Sequence, residues 1–281
     1  MILVFGKTGQ VATQLQRQAT VTALGRDAAD LSDPAACAAA IRAHAPRCVI
    51  NAAAYTAVDR AEEDEDLATV INGAAPTAMA QACAALDIPF LHISTDYVFD
   101  GSGSQPWTPE DKARPLNAYG RSKRAGETGI MAAGGRHAIL RTSWVVSAHG
   151  QNFVKTMLRL SETRDALSIV DDQIGGPTPA AEIAATLLRM AEAMCAGHAG
   201  GVYHYGGAPW VSWKDFAAEI FARAGRDVAL TGIPSVEYPT PATRPLNSRL
   251  DGTALQEAFG IAPPDWRAGL DDILSELEVL A

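Results

Sequence analysis

Tyr119 and Lys123 stand four residues apart in the stretch Tyr119-Gly-Arg-Ser-Lys123. On a helix that spacing sets a phenol and an ammonium on one face. A free phenol ionises near pH ~10, and a neighbouring cation favours the phenolate and lowers that value. Such a phenol can hand a proton to a carbonyl oxygen, or take one from an alcohol. Thr95, in Ser94-Thr95-Asp96, adds a hydroxyl able to hold the reacting oxygen in line. A glycine-rich turn, Gly6-Lys-Thr-Gly9-Gln-Val-Ala12, follows the apolar run Met1–Phe5. Gly6 suits the tight turn, Gly9 the close approach of backbone to a pyrophosphate, and Ala12 the close packing of helix on strand. The free amides at that helix start favour an anion. Each motif alone is common at ordinary turns and on ordinary helices. Together they read as a nucleotide-cofactor site carrying a proton donor, suited to reducing a carbonyl or oxidising an alcohol.

The elements that must position these residues follow from the hydrophobic pattern. Ile2–Phe5, Val21–Leu24, Val49–Asn51, Phe90–Ser94 and Ala138–Leu140 are predicted strands. Helices are predicted over about 11–19, 34–44, 65–86 and 119–132, the second opened by Ser32-Asp33-Pro34. Asp100–Asn117 is rich in glycine, proline and polar residues, and reads as a long surface loop of the kind that is functional or disordered. This alternation implies parallel strands, right-handed crossovers and helices on both faces. Ligands bind such sheets at the carboxyl ends of the strands. Gly6, Ala52, Ala53, Ala54, Ser94–Asp96 and Arg141–Trp144 all fall there.

After Trp144 the pattern changes. A helix is predicted over about 178–195, and Ser212-Trp-Lys-Asp215 resembles a capping box opening another to about 224. Tyr238–Leu250 is irregular. The expected architecture is α/β: a doubly wound parallel sheet over 1–144, then a smaller α/β substrate-binding unit over 145–281, some of whose segments return to the sheet.

Composition limits the function. The 281 residues carry a net charge of −9, which argues against a general nucleic-acid or membrane-surface binder. No apolar stretch approaches the ~20 residues of a membrane helix. Cys37, Cys48, Cys83 and Cys195 form no CxxC pair, and no histidines stand at metal spacing. A cytoplasmic enzyme with reduced thiols is expected, with no metal site marked by the residues themselves. The end of the second strand reads Ala23-Leu24-Gly25-Arg26-Asp27. Arg26 could meet the 2′-phosphate of NADP, and Asp27 could meet a ribose hydroxyl of NAD. The reading leans to NADPH, with NADH as the alternative. Asp30-Leu31 could contact adenine, or simply precede the next helix.

The chain resembles the dTDP-4-dehydrorhamnose reductase family of the extended short-chain dehydrogenase/reductases, which share a Rossmann-like fold. The resemblance rests on Phe5-Gly-Lys-Thr-Gly-Gln-Val11, Asn51-Ala-Ala-Ala-Tyr-Thr-Ala-Val-Asp59, Ser94-Thr-Asp-Tyr-Val-Phe99, Tyr119-Gly-Arg-Ser-Lys123, Arg141-Thr-Ser-Trp-Val145, Asn152-Phe-Val-Lys-Thr-Met-Leu158 and Arg244-Pro-Leu-Asn-Ser-Arg249. These span the chain nearly end to end. The resemblance implies NAD(P)H-dependent reduction of the 4-keto group of dTDP-4-dehydro-β-L-rhamnose, the last step of dTDP-L-rhamnose synthesis for O-antigen and other surface polysaccharides. It implies Thr95, Tyr119 and Lys123 as the catalytic set. It assigns Gly9, Gln10, Val11, Asp30, Leu31, Ala54, Tyr55, Thr56, Tyr119 and Lys123 to the cofactor, and Thr95, Asp96 and Trp144 to the sugar nucleotide. It also implies a homodimer in many members, sometimes with Mg²⁺ between subunits.

The chain departs from the family in places. Gly25-Arg26 replaces an aspartate of some members, Tyr55 stands where histidine is frequent, and Ile93 where tyrosine occurs. In the second half, Arg244 and Arg249 flank Asn247-Ser248. An arginine fork there could grip a diphosphate, or form an inter-domain ion pair. Trp144 could wall the sugar ring or sit in the core, while Trp210, Trp213 and Trp266 read as packing residues. Two rivals stay open: another nucleotide-sugar epimerase or dehydratase, and a non-catalytic dinucleotide-binding regulatory subunit. No glutamate follows Asp96, which counts against a dehydratase. The intact Thr95, Tyr119 and Lys123 count against a sensor.

Overall fold

The computed structural model describes residues 1–281. Five short runs form strands β1 (Ile2–Phe5), β2 (Val21–Leu24), β3 (Cys48–Asn51), β4 (Phe90–Thr95) and β5 (His137–Thr142). A sixth strand, Gly200–Tyr205, comes from the second half of the chain and pairs with β5. Across the sheet the order is Gly200–Tyr205, β5, β4, β3, β1, β2. Every pairing is parallel. All four residues of β1 are buried, as expected of a strand covered on both faces. The chain leaves β1 for β2 on one side and returns to β3 on the other, so a crevice opens where the order reverses. The register sets Phe5 level with Leu24 and Asn51, and Thr95 level with Thr142. Gly6, Gly25 and Ala52 therefore emerge side by side.

Helices cover both faces. On one, α1 (Gln10–Gln18) and the helix Ala180–Cys195 bury Leu15, Ile183, Leu187 and Met190. On the other, α2 (Pro34–His44) and the helix Ala75–Ala85 bury Ile41, Met79 and Cys83. Asp33, rather than Ser32, caps α2, its carboxylate accepting from Ala36 N at 2.9 Å. A separate core gathers Val154, Leu158, Phe216, Ile220, Trp266 and Leu270 from three helices of the second half. A parallel pair, Ala166–Val170 with Ala229–Ile233, lies beside it. No helix is long and apolar enough to cross a membrane.

The helix predicted over 65–86 is not continuous. It runs Glu65–Thr69, widens into a π turn at Val70–Ala74, and resumes at Ala75–Ala85. Pro76 has no N–H to give the Asn72 carbonyl, which frees the chain to widen there. The helix Ala118–Ala132 packs close against this turn because Gly126 has no side chain. A Cβ at Gly126 would lie 2.1 Å from Asn72 O.

Candidate active site

The glycine turn forms a cradle at the crevice. Gly6 has φ +107°, and a Cβ there would lie 3.2 Å from the Ala52 carbonyl. Gly6 thus lets the turn fold flat against Ala52 and Ala53. Gly9 caps α1 with nothing within 4 Å of where a side chain would stand, so the first amides of α1 face open space. These features fit a dinucleotide pyrophosphate. Val11 is buried beneath the turn. The Gln10 side chain is already engaged, accepting from Ser147 Oγ and Asn152 Nδ2 at 3.0 Å each. Its amide oxygen is thus committed within the protein, which leaves the Nε2 donors and the backbone for any cofactor contact.

Arg26 is exposed just beyond β2, with its charge felt at Asp30. Asp30 is tied locally: its carboxylate accepts from Ser32 N at 2.9 Å. Leu31 is buried. Beyond β3, Ala54 and Thr56 are exposed and Tyr55 is half-buried. Asn72, on the π turn, accepts from Tyr55 N at 2.8 Å and donates to Tyr55 O and Ser122 Oγ at 3.0 Å each. One buried amide thus fixes the loop 52–56 to the Tyr119 helix.

Tyr119 enters that helix one residue after its start. Asn117 caps it, accepting from Gly120 N at 2.8 Å. Burial pushes the phenol's pKa up, opposed by the Thr95 hydroxyl that faces it and reinforced by the Asp96 charge. Thr95 Oγ1 donates to Asp96 Oδ1 at 3.0 Å and accepts from Tyr97 N at 3.2 Å. The Tyr97 ring meets that of Tyr119 edge-on at 5.5 Å. Thr95 and Tyr119 are therefore together at the carboxyl edge of β4, as their spacing suggested.

Lys123 makes no hydrogen bond to the phenol in this structure, despite its i,i+4 position. Its ammonium position is drawn under the sheet edge, 2.7 Å from Ile93 O and 3.1 Å from His92 Nε2. A long side chain follows buried partners rather than its nearest neighbour on the helix. Burial, opposed by Glu127, pushes Lys123 down to about 8. Glu127 is itself buried between Arg141, at 2.8 Å, and Arg124, at 2.9 Å.

Asp96 is 2% exposed, and burial raises its carboxyl to about 6 against the pull of the Ser248 and Thr95 hydroxyls. Its Oδ2 has no hydrogen-bond partner. Trp144 sits just beyond β5 with φ +48°, uncommon for a bulky side chain. Its ring stacks on Trp213, centroids 3.5 Å apart and planes 13° apart. Trp213 is held by a bond from its Nε1 to Gln173 Oε1 at 3.1 Å. Trp213 therefore packs, but packs against a candidate site residue.

The two arginines of the last motif differ. Arg244 forms a bidentate pair with Asp59, one arm at 2.7 Å, and so joins the loop after β3 to the irregular segment Tyr238–Leu250. That is an ion pair between segments distant in sequence, not a free phosphate grip. Arg249 faces no acid; its Nη1 donates to Asn247 Oδ1 at 3.0 Å. Asn247 is 1% exposed, and its amide donates to Ser102 O and Gln105 O at 3.3 and 2.8 Å. Its polar atoms are used within the protein, so Asn247 orients Arg249 and the loop 100–107 rather than presenting a free group to a ligand. No three His, Cys, Asp or Glu side chains are grouped to hold a metal ion. The Mg²⁺ implied by resemblance finds no ligand set of three such side chains within one chain.

Asn72, His92, Glu127 and Trp213 are the site residues that spacing did not reveal. Each acts through a partner on another element, and none lies in a motif that advertises the contact.

A family model described as "RmlD substrate binding domain" matches residues 1–279. The dTDP-4-dehydrorhamnose reductase of Sinorhizobium fredii is 43% identical, covering 94% of this chain and 93% of that protein. Its Escherichia coli counterpart is 40% identical over 98% of this chain and 97% of that protein. A crystal structure of a dTDP-4-dehydrorhamnose reductase from Clostridium acetobutylicum superposes with TM-score 0.93 at 35% identity, covering 99% of each chain. Another from Bacillus anthracis, in complex with NADP, gives 0.91 at 32% identity over 98% of each. The chain belongs to the dTDP-4-dehydrorhamnose reductase family.

Proposed function

We propose that this chain reduces the 4-keto group of dTDP-4-dehydro-β-L-rhamnose to give dTDP-β-L-rhamnose. The observation that carries the reading is the meeting of Tyr119, Thr95 and Asp96 at the sheet edge beside the Gly6 cradle. Bound NAD(P)H supplies the hydride that reaches the carbonyl carbon. Tyr119 supplies the proton. Its raised pKa keeps the phenol protonated at neutral pH, while a nascent alkoxide is far more basic, so transfer runs downhill. Thr95 holds the ketone oxygen in line by turning to it the hydroxyl proton that it gives Asp96 Oδ1 in this structure. Asp96 Oδ2 makes no hydrogen bond of good geometry in this structure, although the Ser248 hydroxyl lies close to the carboxyl, and a sugar hydroxyl would satisfy it. Trp144 walls the deoxysugar, and Arg249 offers charge to the diphosphate. Lys123 orients the cofactor ribose. Within this reading, the unit 1–144, completed by Ala180–Cys195 and Gly200–Tyr205, holds the cofactor; the rest of 145–281 holds the sugar nucleotide.

Arg26 beyond β2, with no acid at Leu24 or Gly25, favours NADPH over NADH. The B. anthracis relative was solved in complex with NADP. A cytoplasmic homodimer, with Mg²⁺ between subunits, rests on resemblance and is tested by solution mass with and without chelator. The test of function is the initial rate of NADPH and NADH oxidation with dTDP-4-dehydro-β-L-rhamnose. Turnover with NADPH at the higher kcat/KM supports the reading. Binding of cofactor without its oxidation would leave the regulatory alternative in its place.

A further inference from the structure

Asn117 is buried at the start of the helix that carries Tyr119, only 2% exposed. The ends of its amide serve different elements. Oδ1 accepts from Gly120 N at 2.8 Å and closes the first turn. Nδ2 donates to Thr243 O at 2.8 Å, in the irregular segment Tyr238–Leu250. An N–H needs the oxygen end and a carbonyl needs the NH₂ end, so both partners fix the same orientation of the amide. A helix cap requires no more than the oxygen, and serine or aspartate would serve as well. The cap therefore does not account for the donor end, whose partner lies 126 residues away in the chain.

The segment that Asn117 grips carries groups read as meeting the sugar nucleotide. Near residue 243 it is also anchored to the loop after β3: Ala242 N donates to Asp59 Oδ1 at 3.1 Å, and Arg244 pairs with the same carboxylate. Further along, the Ser248 hydroxyl lies close to the Asp96 carboxyl, and the Arg249 guanidinium rests on Asn247. The helix start has its own anchors. Ala118 N donates to Glu62 Oε1 at 2.8 Å. A Cβ at Gly120 would lie 2.2 Å from Tyr97 O, so the helix sits against the turn that follows Thr95. The phenol side and the diphosphate side of the site are thus held separately, and the Asn117 amide bonds to both.

We propose that Asn117 is a positioning residue for the reaction: its NH₂ group holds segment 243–249, and with it the bound sugar nucleotide, at the distance from Tyr119 that brings the ketone under the phenol. The inference rests on the reading of this edge as a sugar-nucleotide reductase. The diphosphate leaves the sugar at C1 and the ketone is at C4, so a shift of the segment that grips the first displaces the second. A misplacement of ~1 Å can cost about 100-fold in rate.

Asn117→Ser keeps a capping hydroxyl and is too short to reach Thr243 O. Asn117→Asp keeps the size and the cap but turns an acceptor toward that carbonyl. Each is compared with the wild type in kcat and KM for dTDP-4-dehydro-β-L-rhamnose, and in calorimetric affinity for NADPH and for dTDP, which carries the diphosphate and no ketone. N117S is expected to weaken dTDP and raise the sugar-nucleotide KM by about 3–10-fold, the worth of one neutral hydrogen bond. Its kcat should fall by about 10-fold or more, while NADPH affinity stays within about twofold. N117D should show the same split with a larger loss. Normal dTDP affinity and kcat in either variant, or NADPH affinity falling in step with that for dTDP, would make Asn117 a helix cap alone and overturn the proposal. A wild-type chain that binds NADPH but neither binds dTDP nor reduces the sugar would overturn the reductase reading, and this proposal with it.

Discussion

Asp96→Asn should make the protein relatively more stable as pH rises from about 4 to above 6. The carboxyl is buried, and its folded-state pKa lies near 6 against 3.8 when free. A raised acid contributes stability that is full below 3.8 and is lost as pH climbs through 6. The difference of roughly two units is worth ~3 kcal/mol at pH 7. Asparagine removes that penalty. It also places an amide where Oδ2 has no partner, at a cost of about 1–3 kcal/mol. The net change at neutral pH is therefore small, but the amide's cost is the same at every pH. The slope isolates the carboxylate. Urea unfolding of both proteins between pH ~4.5 and ~7.5 should show the variant's relative stability growing by ~2–3 kcal/mol. A flat difference would mean that Asp96 is ionised without penalty, and that its free oxygen is not a stored demand for a sugar hydroxyl. The same variant should raise KM for the sugar nucleotide more than for NADPH.

Tyr119→Phe is expected to lower kcat by about 10²–10⁴-fold while leaving the unfolding midpoint nearly unchanged; near-normal turnover removes the phenol from the mechanism. Glu127→Gln should cost ~3–5 kcal/mol, since it strands Arg141, 3% exposed, beside a neutral partner; chemical denaturation showing a loss under ~1 kcal/mol would refute the buried-pair account. Lys123→Met should stabilise the fold at neutral pH. Because the amine's folded pKa is lowered from 10.5 to about 8, the unfolded chain binds more protons in between, and the wild type recovers up to ~3 kcal/mol as pH rises through that window. A variant advantage that stays constant across it contradicts the assignment. Trp144→Leu should weaken the sugar nucleotide several-fold with cofactor affinity intact, and should abolish the near-parallel indole pair's exciton band in circular dichroism.

The first half of the fold was legible because its signals are local. Ile2–Phe5 is a short, wholly apolar run ended by a glycine, and it is the central strand, buried on both faces. The carboxyl-edge residues were legible for the same reason, since strand ends fix where Gly6, Ala52 and Thr95 emerge. What failed to show was long-range. The direction of Lys123 is set by acceptors on β4, thirty residues away in the chain, and not by its helix spacing from Tyr119. Arg244 and Arg249 look alike in sequence, and only the arrival of Asp59 separates them. Asn72 owes its position to the π turn before Pro76, which a helical pattern conceals. Gly200–Tyr205 completes the first sheet from within the second half, where the sequence reading placed returning segments without locating them.

The most direct test of the central claim is single turnover with NADPH carrying deuterium at C4 of the nicotinamide, on dTDP-4-dehydro-β-L-rhamnose. Mass spectrometry and NMR of the sugar should find the label at C4 of the rhamnose, with one cofactor oxidised for each sugar reduced. Unlabelled product, or cofactor left unoxidised beside consumed substrate, would contradict hydride delivery to a ketone held under Tyr119.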